Sequence, residues 1–262
     1  MSVLNIIKIG GNIIDDPVQL DAFLEKFSAL SGRKILVHGG GKIATRIAAD
    51  LGIEAKMVEG RRITDAPMLD VVTMVYAGLT NKNVVAQLQK HNCDAIGLCG
   101  ADANVIKAVK RPVREIDYGF AGDILADSIN TLAIKKLLEA EFTPVFSAIT
   151  HNGLGQLLNT NADTIASSLA VALSQVYEVS LIYCFEKNGV LLDVNNDQSV
   201  IETIRAQEFQ QLKDNQVIHD GMIPKLQNAF DAIAKGVSNV YIGNANNLHL
   251  YQQRKFGTCL IA

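Results

Sequence analysis

What most constrains this chain is a rhythm. Short apolar runs at residues 5–9, 34–37, 95–99, 144–148, 179–184 and 240–242 alternate with longer Ala- and Leu-rich amphipathic segments. A short apolar run buried on both faces suits a parallel strand, and a parallel strand reaches its neighbour only through a crossover, usually a helix. The segments that supply crossovers are 17–30, 43–51, 66–78, 80–89, 129–139, 162–173 and 224–234. Pro17, Pro67 and Pro224 stand near their starts, where a missing N–H leaves no bond unmade. The rhythm predicts an α/β fold, a three-layer α/β/α sandwich on a mainly parallel open sheet.

Composition narrows the partners. The chain has 262 residues, 48% hydrophobic and 19% charged, which is enough to bury a sizeable core. No apolar run approaches the roughly 20 residues that span a bilayer, and the first strand begins almost at Met1 without a basic leader. A cytoplasmic protein is expected. Cys93, Cys99, Cys184 and Cys259 show no C-x-x-C spacing, so neither a disulfide framework nor a zinc site is predicted. A net charge of −3, with cations scattered, offers no basic stripe for nucleic acid and no basic helix for a membrane.

In parallel sheets ligands bind beyond the carboxyl ends of the strands, so loops following strands are where chemistry is sought. The first is Lys8-Ile9-Gly10-Gly11-Asn12, where a cation closes the strand and two glycines let backbone N–H groups approach an oxyanion. Alone, it also reads as a tight turn with a surface lysine. The second is His38-Gly39-Gly40-Gly41-Lys42, opening a helix whose positive end suits a carboxylate or phosphate. It is no Walker loop, since Leu36 and Ile43 stand where Gly and Ser or Thr are required. No G-x-S-x-G elbow and no G-x-G-x-x-G after a strand occurs. The third pairs Asn159-Thr160-Asn161-Ala162-Asp163 with Asp220-Gly221-Met222-Ile223-Pro224-Lys225. Taken singly, Asp163 is a helix-start carboxylate and Lys225 a first-turn lysine.

Together these motifs, with G-R-R-I-T-D at 60–65 and D-Y-G-F-A-G-D at 117–123, resemble the acetylglutamate kinase branch of the amino-acid kinase family, in the family's order and across essentially the whole chain. The resemblance implies two lobes sharing the sheet: residues 1–178 for acyl-glutamate binding and dimerisation, and 179–262 for ATP. It implies transfer of the γ-phosphoryl group of ATP, with Mg²⁺, to the side-chain carboxylate of an N-acyl-glutamate. That nucleophile is already an anion at neutral pH and needs no general base, so the demand falls on positioning and fixed cations. By resemblance Lys8 stabilises the transferring group, Lys225 the leaving side, and Asp163 orients both. Gly10 and Gly11 donate to the nucleotide's phosphates. Arg62 and Asn159 meet the substrate carboxylate, Gly40 and Gly41 wrap the glutamate side chain, and Asn161 helps hold the acyl amide. No acidic motif dedicated to a metal is present, so Mg²⁺ is expected on phosphate and water.

Three departures from the family pattern bear on specificity. Phe185-Glu186 stands where a Ser-Asp pair is usual, ahead of Gly189 in the nucleotide lobe, with Glu186 keeping a carboxylate on a longer arm. Arg61 replaces a common leucine and Ala121 a common valine near the acyl pocket. A guanidinium there favours N-succinyl-L-glutamate as the substrate, whereas an Arg61 paired with Glu59 or solvated leaves acetyl. A non-catalytic amino-acid sensor on the same fold is the alternative of another class, and Lys8, Asp163 and Lys225 occurring together argue against it. The family's arginine-inhibited members carry a helix before the first strand, so a homodimer without that feedback is expected.

Overall fold

The strand Val3–Ile9 is buried from Leu4 onward and pairs in parallel with Glu178–Phe185, from Val3 opposite Glu178 to Ile9 opposite Cys184. These strands belong to a computed structural model that describes residues 1–193, 195–215, 217–218 and 222–262. The chain divides into two units, Met1–Lys34 with Leu169–Ala262, and Ile35–Ser168. The first 34 residues thus group with the C-terminal part of the chain in this division.

In the first unit Glu178–Phe185 also pairs in parallel with Asn239–Asn244. Thr258–Ile261 then runs antiparallel to Asn239–Asn244, and Thr203–Arg205 lies parallel to Thr258–Ile261. The inner strands are apolar on both faces, as parallel strands covered by helices must be, with Ile6, Ile7, Leu181 and Ile182 fully buried. The helix Pro17–Ala29 buries Leu20, Phe23, Leu24 and Phe27, which recur at helical spacing. Asp16 caps it by accepting from Val18 N at 2.9 Å and Gln19 N at 3.1 Å, with Pro17 in the first turn.

In the second unit Thr143–Phe146 pairs in parallel with Ala95–Leu98, and with Arg33–His38 through Leu36 opposite Val145 and Val37 opposite Phe146. Helices Gly41–Asp50, Asn81–Lys90 and Thr131–Glu139 lie where the amphipathic segments predict them. The expected break between 78 and 80 is absent. Helix Ala66–Val72 passes through a π-helical stretch, Thr73–Thr80, directly into Asn81–Lys90, and the junction residues keep right-handed helical angles.

All six predicted strands are present with shifted ends, so the mainly parallel α/β architecture stands. Two short strands, Thr203–Arg205 and Thr258–Ile261, and the helix Ala206–Asp214 are additions. Among the described residues no helix is long and apolar enough to cross a membrane.

Candidate active site

The second unit builds its site from the glycine loop outward. His38 is wholly buried at the end of its strand, and Asn81 Nδ2 donates to its Nε2 at 3.0 Å. Nδ1 therefore carries the proton and donates it to the Gly39 carbonyl at 2.8 Å. Burial holds the imidazole neutral, its pKa lowered to about 4, with the nearby Lys82 charge acting in the same direction. One neutral side chain thus fixes the first peptide of the loop. Gly40 follows at φ 154°, where a Cβ would lie 3.0 Å from Tyr76 Cδ1 and 3.2 Å from Thr80 Oγ1. Only glycine fits there, and the helix Gly41–Asp50 starts directly after it.

Arg61 and Arg62 sit on a hairpin in which Met57 opposes Arg62 and Val58 opposes Arg61. Its two-residue turn, Glu59-Gly60, has positive φ at both positions (50° and 72°), as a type I′ turn requires. Strand alternation then sends the neighbours opposite ways: Arg61 is exposed and Arg62 only 8% exposed. Arg62 Nη2 donates to Gly41 O and Thr45 Oγ1, each at 2.8 Å, and Nη1 approaches Met68 Sδ at 3.7 Å.

Three motifs far apart in sequence are stitched together beside it. Thr64 N donates to Tyr118 O (3.1 Å) and Phe120 N to Thr64 O (2.7 Å). Asn159 N donates to Phe120 O (2.9 Å), and Asn159 Nδ2 to Thr64 Oγ1 (2.9 Å). A side chain on Gly122 would meet Thr160 Oγ1 at 2.6 Å, so this weave closes only around a glycine.

The result is a cavity of about 220 Å³ walled by the predicted Gly40, Gly41, Arg61, Arg62, Asn159 and Asn161, with Ala121 beside them. Six candidates from three stretches of sequence meet in one place. Asn161 also caps a helix. Its Oδ1 accepts from Asp163 N (2.8 Å) and Thr164 N (3.1 Å) at the start of Ala162–Leu173, leaving the amide NH₂ as its donor. Among the lining residues that were not anticipated are Tyr76 and Arg111. Tyr76 reaches the cavity from the π-helical stretch, and burial raises its phenol pKa against the opposing Arg62 charge. Arg111 reaches it from the short strand Val109–Lys110, held by Asp123 through Nε at 3.1 and 3.2 Å and through Nη2.

The first unit gathers the other candidates except Asp163, which stands in the first turn of helix Ala162–Leu173 in the second unit. Lys8 stands in the strand Val3–Ile9, only 8% exposed, its Nζ 5.2 Å from the centre of the Phe185 ring. Lys225, exposed in the first turn of helix Ile223–Ala234, lies 4.3 Å from the same centre. One aromatic ring thus contacts both cations. Gly10 N donates to Cys184 O at 3.0 Å, and a Cβ on Gly10 would stand 3.7 Å from Phe185 Cδ1 and 4.0 Å from Glu186 Oε1. Gly11 faces open space. Glu186 is exposed, and its carbonyl accepts from Asn244 Nδ2 at 2.7 Å. Gly189 is packed tightly, with Thr258 Oγ1 2.7 Å from where a Cβ would lie. Burial pushes the Cys184 thiol far up despite Lys8, so it is no nucleophile. Of the D-G-M-I-P-K motif, Asp220 and Gly221 lie outside the described residues.

Among the described residues no group of three or more His, Cys, Asp or Glu side chains could hold a metal ion. The donors in the second unit's cavity are guanidiniums, amides and glycine backbone, a set made for carboxylates rather than cations.

Comparisons with known proteins point the same way. The model of the amino acid kinase family matches residues 4–244. A protein of Cytophaga hutchinsonii named acetylglutamate kinase is 53% identical over 265 residues, covering 100% of both chains. One of the same name from Bacteroides fragilis is 53% identical over 246 residues, covering 94% of each. Among solved structures, smu.665 from Streptococcus mutans UA159 superposes with a TM-score of 0.78 at 28% identity, over 99% of this chain and 98% of that one.

Proposed function

The chain belongs to the amino acid kinase family, and on that footing we propose that it uses ATP to phosphorylate the side-chain carboxylate of N-acetyl-L-glutamate, a step of arginine biosynthesis. The observation that carries this reading is the second unit's cavity. A nearly buried guanidinium, an asparagine amide and a glycine-opened helix end face one small space, which suits an amino acid's α-carboxylate with a second carboxylate nearby. Relatives named acetylglutamate kinase at 53% identity over the full chain supply the substrate class.

In the reaction the γ-carboxylate oxygen attacks the γ-phosphorus of ATP, the bond from that phosphorus to the bridging oxygen breaks, and ADP leaves. An acyl phosphate forms and no proton need be removed, since the nucleophile's reference pKa is about 4.3. What the chain supplies is therefore charge and position. Arg62 and Asn159 hold the α-carboxylate, Gly40 and Gly41 guide the side chain, and the Asn161 amide meets the acyl group. Lys8, Lys225 and Asp163 keep the catalytic roles that the resemblance gives them, with Gly10, Gly11, Glu186 and Gly189 on the nucleotide. With no cluster of acidic ligands among the described residues, Mg²⁺ would be held by the ATP phosphates and water and would supply charge neutralisation there. The N-terminal lobe takes the acyl-glutamate and the C-terminal lobe the nucleotide, in a cytoplasmic homodimer.

Release of ADP from Mg-ATP on addition of N-acetyl-L-glutamate, absent in Lys8→Ala, is the expected result. ATP turnover that ignores every N-acyl-glutamate offered would overturn the reading.

A further inference from the structure

We propose that the acyl end of this cavity is a second carboxylate site, formed by Arg61 and Arg111, and that the acyl groups it selects are short dicarboxylic ones such as succinyl. The inference rests on the N-acyl-glutamate reading and deepens it.

Charge counting gives the starting point. An N-acetylglutamate carries two carboxylates: one matches Arg62 and Asn159, and the other is the phosphoryl acceptor. The same cavity is also lined by two further guanidiniums, Arg61 and Arg111. An acetyl methyl gains nothing from either, and dehydrating an unpaired cation beside it costs free energy.

Both guanidiniums have donors to give. Arg61 makes no ion pair or hydrogen bond among the described residues, although Glu59 is two positions away on the same hairpin. Glu59 instead lies 3.5 Å from the Tyr118 hydroxyl. Arg111 is committed along one edge only: Asp123 takes Nε and Nη2, leaving Nη1 its two N–H groups. The Tyr118 ring lies 5.2 Å from the Arg111 guanidinium carbon and helps fix its plane. Asp123 offsets the charge of Arg111, so Arg61 supplies the net positive charge and Arg111 the fixed geometry.

Space is available in the same direction. Ala121, also in the cavity wall, is small, and Arg61 and Arg111 continue into an adjoining cavity of about 580 Å³. A carboxylate on a two-carbon spacer is the simplest group to use both the charge and the room.

The test compares N-succinyl-L-glutamate with N-acetyl-L-glutamate and with the succinamoyl analogue, whose terminal amide matches the succinyl group in size without its charge. ADP release gives kcat/KM for each. A succinyl preference over the neutral analogue of at least tenfold is expected, about 1.4 kcal/mol of discrimination. Arg61→Leu, at an exposed position, and Ala121→Val, which fills the acyl end, should each lower that ratio severalfold. Equal use of the charged and neutral analogues by the unaltered protein, or a ratio that neither substitution moves, overturns the second site while leaving the kinase reading intact. Turnover of none of the three overturns the kinase reading itself, and this inference with it.

Discussion

Arg62 donates through Nη2 to the carbonyl of Gly41 at 2.8 Å, and so ties a hairpin strand to the first residue of the helix beside the second unit's cavity. The same nitrogen bonds Thr45 Oγ1 one turn further on. A planar fork can serve these two acceptors through Nη2 and hold its remaining N–H groups in a fixed plane for a carboxylate, whereas an ammonium is a point donor without that geometry. Arg62→Lys should therefore keep the charge and lose the alignment. The KM for N-acetyl-L-glutamate is expected to rise roughly 10- to 100-fold, the range of a lost charge-assisted bond. The KM for ATP should move far less, and a coupled assay varying one substrate at a time reads the two separately.

His38 makes the fold sensitive to mild acid. Its folded pKa of about 4 lies below the unfolded value of 6.5, so below pH 6.5 the unfolded chain binds the proton first and stability falls with pH. The loss grows from pH 6.5 down to about 4 and then levels off. Between pH 7 and pH 5 this single group should remove about 2 kcal/mol. Urea unfolding at the two values should show that slope. His38→Gln, whose amide can still donate to Gly39 O, should flatten it by a comparable amount. An unchanged slope in the variant would place the acid sensitivity elsewhere.

The two glycine loops should respond oppositely to a methyl group. At Gly40 a Cβ would press on Tyr76 and Thr80 at a backbone angle that L residues rarely adopt, so Gly40→Ala should destabilise by about 1–3 kcal/mol and weaken acyl-glutamate binding. At Gly11 nothing lies within 4 Å, and φ is not positive. Gly11→Ala should leave the melting temperature unchanged or slightly raised, while the ATP KM rises because the methyl occupies the approach to the loop's N–H groups. Thermal unfolding and substrate kinetics on the same two proteins check both halves.

How far these features could be read in advance depended on how local their cause was. The strands Val3–Ile9 and Glu178–Phe185 are apolar on both faces and announce themselves by composition, as does the loop at Gly39-Gly40-Gly41. Arg62 and Asn159 came from motif resemblance, and they do line one cavity. Arg111 did not come, because Arg111-Pro112-Val113-Arg114 reads as a solvated loop. Only the pairing of Val109 with Asp123 and the bond from Arg111 to Asp123 bring it to the site. Tyr76 was hidden differently: in an apolar helical stretch an aromatic reads as core, and the π-helical turns that shift the helix phase there leave no simple sequence mark. The strand Thr203–Arg205 is only three residues long at a sheet edge, too short for any periodicity to establish.

Phe185 offers a last prediction, because both lysines of the first unit lie against its ring, Lys8 at 5.2 Å and Lys225 at 4.3 Å from the centre. Two ammonium groups near one another repel, and one electron-rich ring is a neutral means of holding both without consuming their protons or their hydrogen-bonding capacity. Each contact is worth about 0.5–1 kcal/mol at a part-exposed site. Phe185→Leu keeps most of the volume and removes the quadrupole, so the fold should survive while kcat falls several-fold through lost alignment of the lysines. Phe185→Trp, with the stronger face, should retain more activity than Phe185→Leu if its larger ring is accommodated beside Gly10. The two kcat values, taken at saturating ATP and acyl-glutamate, separate the cation–ring contact from simple packing. If Leu and Phe were equal, the ring would be a spacer and the lysines would be positioned by other groups.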